Sequence, residues 1–317
     1  MSLTVAVQMD PISGINIAGD STFALMLSAQ ARGHRLFHYA AEDLNQSGDR
    51  IWARAQPVTV QRVVGDHFTL GDPVLLDLGE QADVVLMRQD PPFDLGYITA
   101  THLLERISDR TLVVNDPASV RNAPEKLFVL DYQRFMPPTL ITRSVDEARA
   151  FLAEHGSVVV KPLHGNGGKA IFKIDSNAQN LSSLIEVFNT AYREPHMVQA
   201  FLPAVAQGDK RIVLVDGEVA GAVNRLPGAG EIRSNLAVGG TAAKTELTQR
   251  EREICAALGP ELKRRGLIFV GIDVIGGEWL TEINVTSPTG IVAIEKFDGT
   301  DVAGMIWDAI EARVAAR

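Results

Sequence analysis

The chain has 317 residues, 46% hydrophobic and 22% charged, an ordinary soluble globular composition with enough length for one large domain or two to three smaller ones. A net charge of −9 argues against a nucleic-acid surface, although a nucleotide site needs only a few local Lys and Arg. Cys255 is the only cysteine, which excludes an internal disulfide and a Cys-based zinc cluster. The N-terminus lacks the basic-then-apolar order of a signal peptide, and no apolar run approaches the roughly 18 residues of a membrane span, so the expected compartment is the cytoplasm.

Leu3 to Met9 reads as a buried first strand, ended by Asp10-Pro11. Ser21 to Arg32 has a helical pattern closed by Gly33, Leu36 to Tyr39 reads as a strand, and Val84 to Met87 is a further buried strand ending at Arg88. Leu103 to Ile107 belongs to a helix, and Thr111 to Asn115 to a strand. Strands alternating with helices predict an open, mostly parallel α/β sheet over roughly the first 120 residues. Ligands on such sheets sit at the carboxyl ends of the strands, where Asp10, Arg88, Asp90 and Asp94 fall. A lone Asp-Pro is ordinarily a turn. The run Arg88 to Asp94 sets an Arg and two Asp in a loop stiffened by Pro91 and Pro92, and reads as a binding loop.

Pro124 suits the first turn of a helix running to about Arg134, stopped by Pro137-Pro138. Ser144 with Glu147 is a capping box for a helix ending near Gly156. Val158 to Pro162 is a strand with Lys161 at its end, and the loop Gly165-Asn166-Gly167-Gly168 joins it to a strand at 171–174. The loop is not a Walker A motif, because Ala170 replaces Ser/Thr and no helix follows. A glycine loop between strands can still close over phosphates, since no Cβ obstructs its N–H groups. Leu181 to Tyr192 is a helix, and Met197 to Leu202 a short strand. Gly208 to Arg211 opens the strand Ile212 to Val215, which Asp216-Gly217 turns back into Glu218 to Val223. Residues 226–241, with four glycines, are long for a passive loop and read as a lid. Thr248 to Arg265 is a helix with Cys255 as a small core residue, and Val302 to Arg313 a closing helix.

The most informative stretch is a hairpin between these last helices. Phe269 to Ile275 is apolar and β-branched, Trp279 to Val285 alternates, and Gly276-Gly277 reads as a two-residue turn. Asp273 then faces Leu280 and shares a face with Glu282 and Asn284. Two carboxylates and an amide oxygen suit Mg²⁺ bound together with phosphates; an edge hairpin with a solvated polar face is the plain alternative.

The order of these parts resembles the ATP-grasp superfamily, and within it bacterial glutathione synthetase, nearly end to end. The resemblance rests on MDPI at 9–12 with INI at 15–17, LMRQDPPFD at 86–94, NAPEKL at 122–127, GDKR at 208–211, GLIFVG at 266–271 and TEINVTSP at 281–288. It implies an α/β chain with an N-terminal open parallel-sheet substrate domain (1–122) and a two-part ATP-grasp fold, its lid subdomain at 123–203 and its catalytic and metal subdomain at 204–317. It implies that γ-glutamylcysteine and glycine are joined through an acyl phosphate, with ATP split to ADP and phosphate. The alternative is another peptide or amino-acid pair for the same chemistry. Two Mg²⁺, or Mn²⁺ in their place, are the implied metals, and a cytoplasmic homotetramer without nucleic-acid or membrane partners is the implied assembly.

By motif, the resemblance assigns Lys126, Lys161 and the loop of Gly165, Asn166, Gly167 and Gly168 to the ATP phosphates, and Gln199, Ala200, Phe201 and Leu202 to the adenine. It assigns Asp273, Glu282 and Asn284 to the metals, and places Arg211 and Arg233 near the transferred phosphoryl and the dipeptide. Asp10, Asn16, Arg88, Asp90, Arg225 and Ser287 are left for the substrates. Three positions depart from the family pattern: Gln89 stands where many members have Lys, Ile291 to Ile294 lacks an Arg that relatives often carry, and Ala200 replaces a polar hinge residue.

Overall fold

The computed structural model describes residues 2–165, 167–228, 230–231, 233–234 and 240–317. Asn166 and much of the stretch expected as a lid, residues 229, 232 and 235–239, lie outside the described residues.

The first sheet is built from β1 (Thr4–Gln8), β2 (Arg35–Tyr39), β3 (Leu44–Ser47), β4 (Arg50–Val60), β5 (Phe68–Leu70), β6 (Val74–Asp77), β7 (Val84–Met87) and β8 (Leu112–Val114). Helices α1 (Ser21–Ala31) and α2 (Leu95–Glu105) connect its strands, and α3 (Pro117–Arg121) follows β8. The order β3-β4-β2-β1-β7-β8 contains the expected parallel core, because β1 is parallel to β2 and β7, and β7 to β8. Strands β1 and β7 are buried along their whole length, as central parallel strands are. Residues 44–77 add an antiparallel excursion that the sequence reading passed over. Its long strand β4 turns Ile51, Ala53, Ala55, Val58 and Val60 inward. That alternation breaks at Pro57 and relies on alanine, which carries little strand preference.

In the middle of the chain, α4 (Glu125–Phe128) begins just after Pro124. It passes into a 3₁₀ turn, Val129–Phe135, instead of continuing as one helix to Arg134, because Tyr132 leaves the helical region. Strands β9 (Thr139–Thr142), β10 (Ser157–Pro162), β11 (Phe172–Asp175) and β12 (His196–Ala200) form an antiparallel sheet of order β11-β10-β12-β9. Helices α5 (Val145–His155) and α6 (Leu181–Ala191) cover it. Ser144 caps α5 by accepting from the Glu147 N–H. This unit has its own core, in which Val158, Val160, Ile174 and Val198 pack against Leu152, Ile185 and Phe188.

The last sheet is antiparallel, order β15-β14-β13-β16-β17, from β13 (Asp209–Val215), β14 (Glu218–Leu226), β15 (Thr241–Ala243), β16 (Phe269–Ile275) and β17 (Trp279–Asn284). Helix α7 (Gln249–Arg264) starts with the Thr248–Glu251 capping box and buries Cys255. Helices α8 (Ile291–Asp298), which the sequence reading did not anticipate, and α9 (Val302–Ala315) follow. The first and last sheets share hydrophobic cores. Asn115, at the end of β8, accepts from the Phe269 N–H and donates to the carbonyls of Phe269 and Val285, and the Trp307 indole on α9 donates to the Leu25 carbonyl on α1.

The hairpin of β16 and β17 differs in register from the expectation. Its turn holds three residues, Gly276 to Glu278, with Ile275 opposite Trp279 and Val274 opposite Leu280. The register then shifts by a bulge, so that Asp273 faces Glu282 and not Leu280. A three-residue turn alone would have set Glu282 on the opposite face from Asp273. The extra residue, Thr281, restores the shared face.

Candidate active site

One face of the last sheet carries a charged cluster. Arg211 on β13 lies directly across from Asp273 on β16, and Arg225 on β14 across from Asp209 on β13. The Arg211 guanidinium grips Asp273 with two bonds, Nε to Oδ1 at 2.6 Å and Nη2 to Oδ2 at 3.1 Å, and its Nη1 donates to the Thr289 carbonyl at 3.2 Å. Arg225 bonds Asp209 and also reaches Asp273 Oδ2 at 3.0 Å. Burial pushes the Asp273 carboxyl up, but Arg211 and Arg225 outweigh it and hold the group well below the usual carboxylate range. Burial, only partly offset by Arg225, pushes Asp209 up to about 6.

Glu282 is met by lysines from two other elements. Lys126 on α4 places its Nζ 3.4 Å from Glu282 Oε1, and Lys161 on β10 places its own at 3.6 Å. Lys126 also donates to the Gly165 carbonyl at 2.8 Å and pairs with Glu125. Both lysines are almost fully buried. Burial opposes the Glu282 charge, and the two lysines overcome it and lower the carboxyl. Burial depresses the Lys161 ammonium, with Glu282 restoring part of the loss. At Lys126 burial is outweighed by Glu282 and Glu125, and the ammonium is held above its ordinary value. Burial, partly offset by Lys126, raises Glu125 to about 7.

These groups form the floor of one cleft. Gly165, Gly167 and Gly168 line it from the β10–β11 loop, and Gln199, Ala200, Phe201 and Leu202 from the end of β12. Arg233 lines it too, pairing with Glu231 and donating to the Gly168 carbonyl at 3.4 Å. Asp90, Arg225, Ser287 and Asn284 complete its walls. Seventeen of the twenty expected site residues that are described therefore meet in a single cleft; Asp10, Asn16 and Arg88 do not line it.

Asp10 is exposed and accepts from the Asp90 N–H at 2.8 Å, so it shapes the loop that brings Asp90 to the cleft. Asn16 is exposed and accepts from the Ala18 N–H. Arg88 is only 5% exposed. It does not face the cleft as expected but lies behind it, donating to Thr22 Oγ1 at 3.0 Å and to the Pro288 carbonyl at 2.9 Å, over the Phe269 ring. Ser287 returns a bond to the Arg88 carbonyl. Gln89 is buried and pairs with Gln8. Sequence reading missed Glu125 and Asp209 as members of the charged cluster. Each is next to or inside a quoted motif, but acidic residues beside a lysine or arginine are too common to stand out.

A divalent cation would find only hard oxygen donors here. Among the described residues no group of three or more His, Cys, Asp and Glu stands ready for a metal. The available set is Asp273, Glu282 and Asn284, with Asn284 Nδ2 3.5 Å from Asp273 Oδ2. Two carboxylates and an amide on one sheet face fit a Mg²⁺-type ion that takes its remaining ligands from phosphate and water.

The chain has the ATP-grasp fold, and its ATP-grasp domain makes it a ligase of that class. Over its whole length the chain superposes on D-cycloserine synthetase DcsG (TM-score 0.70, 18% identity, 98% of this chain and 99% of that one). It also superposes on the ATP-grasp ligase PsnB complexed with a minimal precursor (TM-score 0.66, 19% identity, 99% of each chain). Residues 3–121 match the N-terminal domain of prokaryotic glutathione synthetase, and residues 125–299 its ATP-grasp domain. The glutathione synthetase of Rhodopseudomonas palustris is 61% identical over 315 residues, 99% of this chain and 100% of its own. That of Bradyrhizobium diazoefficiens is 60% identical over the same shares, and that of Shewanella oneidensis 45% identical over 98% and 99%. The chain belongs to the prokaryotic glutathione synthetase family and is an ATP-dependent ligase whose family uses ATP with a divalent metal. No helix among the described residues is long and apolar enough to cross a membrane.

Proposed function

We propose that the chain joins the cysteinyl carboxylate of γ-glutamylcysteine to the amine of glycine. The carboxylate attacks the γ-phosphorus of ATP, and ADP leaves. The glycine nitrogen then attacks the acyl phosphate, phosphate leaves, and the amine gives up a proton. The observation that carries this reading is the balanced charge cluster, in which Lys126, Lys161, Arg211 and Arg225 face Glu125, Asp209, Asp273 and Glu282 within one cleft. Phosphoryl transfer is mostly positioning and charge neutralisation, and a preformed ring of opposite charges supplies both. Such a cluster accepts a nucleotide most readily together with cations that cancel its phosphates, which favours two divalent ions over one.

In this reading Lys126, Lys161 and the 165–168 loop hold the phosphates. Asp273, Glu282 and Asn284 would hold the metal ions, whose charge would polarise the transferred phosphoryl. Arg211 and Arg233 face that phosphoryl. The N–H groups of Ala200 and Phe201 already donate to the Pro138 and Ser157 carbonyls, so Leu202 offers the N–H for adenine. Arg88 engages only neutral acceptors among the described residues, although a guanidinium has five N–H groups to give. A buried cation of this kind suits a substrate carboxylate arriving beside the Ser287–Pro288 loop, and Asp90 and Asp10 suit an ammonium. We assign residues 1–122 to the substrate domain, 123–203 to the lid subdomain and 204–317 to the metal-binding subdomain, in a cytoplasmic homotetramer.

The test is ADP release by the purified protein with Mg²⁺. Release should require γ-glutamylcysteine and glycine together and yield glutathione in equal amount. Faster ligation of another amino-acid or peptide pair would overturn the substrate assignment and leave the ligase chemistry standing.

A further inference from the structure

We propose that Gly271 and Gly290 form a slot that fixes the Arg211 guanidinium, making Gly271 a positioning residue for phosphoryl transfer although it touches no substrate. The inference rests on the reading of Arg211 as the cation facing the transferred phosphoryl. Gly271 lies in β16, two residues before Asp273 and on the same sheet face. Its φ is not positive, so its own backbone does not call for glycine. Space does. A Cβ on Gly271 would stand 3.0 Å from Arg211 Cδ and Nη1 and 3.3 Å from Cζ, and a Cβ on Gly290 would stand 3.2 Å from Arg211 Cγ. The arginine is thus laid against bare backbone from its Cγ to its Nη1.

An arginine at a surface would yield to an added methyl by swinging away. This one cannot swing without loss. Nε and Nη2 are committed to Asp273, and Nη1 to the Thr289 carbonyl, which fixes the plane of the guanidinium by three bonds. A shift of a few tenths of an ångström stretches these bonds together and tilts the face that Arg211 turns to the cleft. Pre-organised charge is sensitive to such tilts, because its value lies in being placed before the reaction begins.

The experiment compares Gly271→Ala, Arg211→Ala and the double variant by steady-state kinetics and thermal unfolding. Gly271→Ala should lower kcat by roughly tenfold to a hundredfold, the scale of losses from small misplacements. KM for ATP and for dipeptide should stay within about twofold, as expected for an interaction made in the transition state, and the unfolding midpoint should fall by no more than a few degrees, the cost of straining three buried bonds. In the Arg211→Ala background the same substitution should cost nothing more, since the group it displaces is gone. Normal kcat in Gly271→Ala, while Arg211→Ala is crippled, would overturn the slot and leave the role of Arg211 intact. An equal further loss in the Arg211→Ala background would also overturn it. Normal kcat in Arg211→Ala would remove the reading on which the slot rests. If Gly271→Ala alone does not fold, a folded double variant supports the same steric conflict, and an unfolded one refutes it.

Discussion

Replacing Glu282 with alanine probes the centre of the cluster. The side chain is 18% exposed, not part of the solvated face that stood as the plain alternative to a metal site, and it is the carboxylate shared by Lys126 and Lys161. Removing one partner of a buried ion pair costs roughly 3–5 kcal/mol when the other charge is left alone. Lys126 is not left alone, because it keeps Glu125 and the Gly165 carbonyl. Lys161 loses the only carboxylate within ion-pair distance among the described residues, and its ammonium is already depressed by burial. It can shed its proton, which caps the penalty, so about 2–3 kcal/mol of destabilisation near neutral pH is expected. The sign with pH follows. A lysine whose folded value lies below its unfolded one binds fewer protons folded than unfolded over that window, and stability there rises with pH. Urea denaturation of the Glu282→Ala variant should therefore show a deficit that shrinks, relative to the parent, as pH rises toward the ordinary lysine value of 10.5. Ligation should be lost even at saturating Mg²⁺. A deficit that is absent, or unchanged across that range, would refute the buried pairing. Near-normal ligation at saturating Mg²⁺ would sink the metal assignment.

Lys161→Met should raise the ATP KM at least about tenfold, since a charge-assisted bond contributes roughly 1.5–3 kcal/mol; an unchanged ATP titration would mean that Lys161 serves only the fold. Arg88→Ala should raise KM for the dipeptide and leave nucleotide binding, measured by calorimetry with ADP, nearly unaltered. Equal losses for both ligands would show instead that Arg88 acts by holding Thr22 and the Pro288 carbonyl. Burial, with Glu251 adding to it, pushes the Cys255 thiol up to about 12. Iodoacetamide at mildly alkaline pH should accordingly leave the native protein unlabelled by mass spectrometry and modify one site once it is unfolded; labelling of the native state would contradict the packing of α7.

The chain order of motifs was enough for the family, and local pattern was enough for most elements. β1, α1, β7, α5 with its Ser144 cap, and α7 all lie where apolar spacing and capping residues set them. These are properties of a few neighbouring residues, so the sequence carries them directly. The metal hairpin shows where that reach ends. The shared face of Asp273, Glu282 and Asn284 was legible, but by a two-residue turn that does not exist. A longer turn and a bulge at Thr281 change the register twice and cancel, and neither leaves a mark in composition. The antiparallel strands at 44–77 were hidden for a related reason, because alanines in β4 become core only when β3, β5 and β6 pair around them. Tertiary structure alone decided which charges meet. Lys126, Lys161 and Glu282 come from three elements, Arg88 retreats behind the Pro288 loop, and Gly271 gains meaning only when Arg211 lies across it. Each of these depends on how separate segments pack, and packing is a property of the folded whole that no single stretch of residues contains.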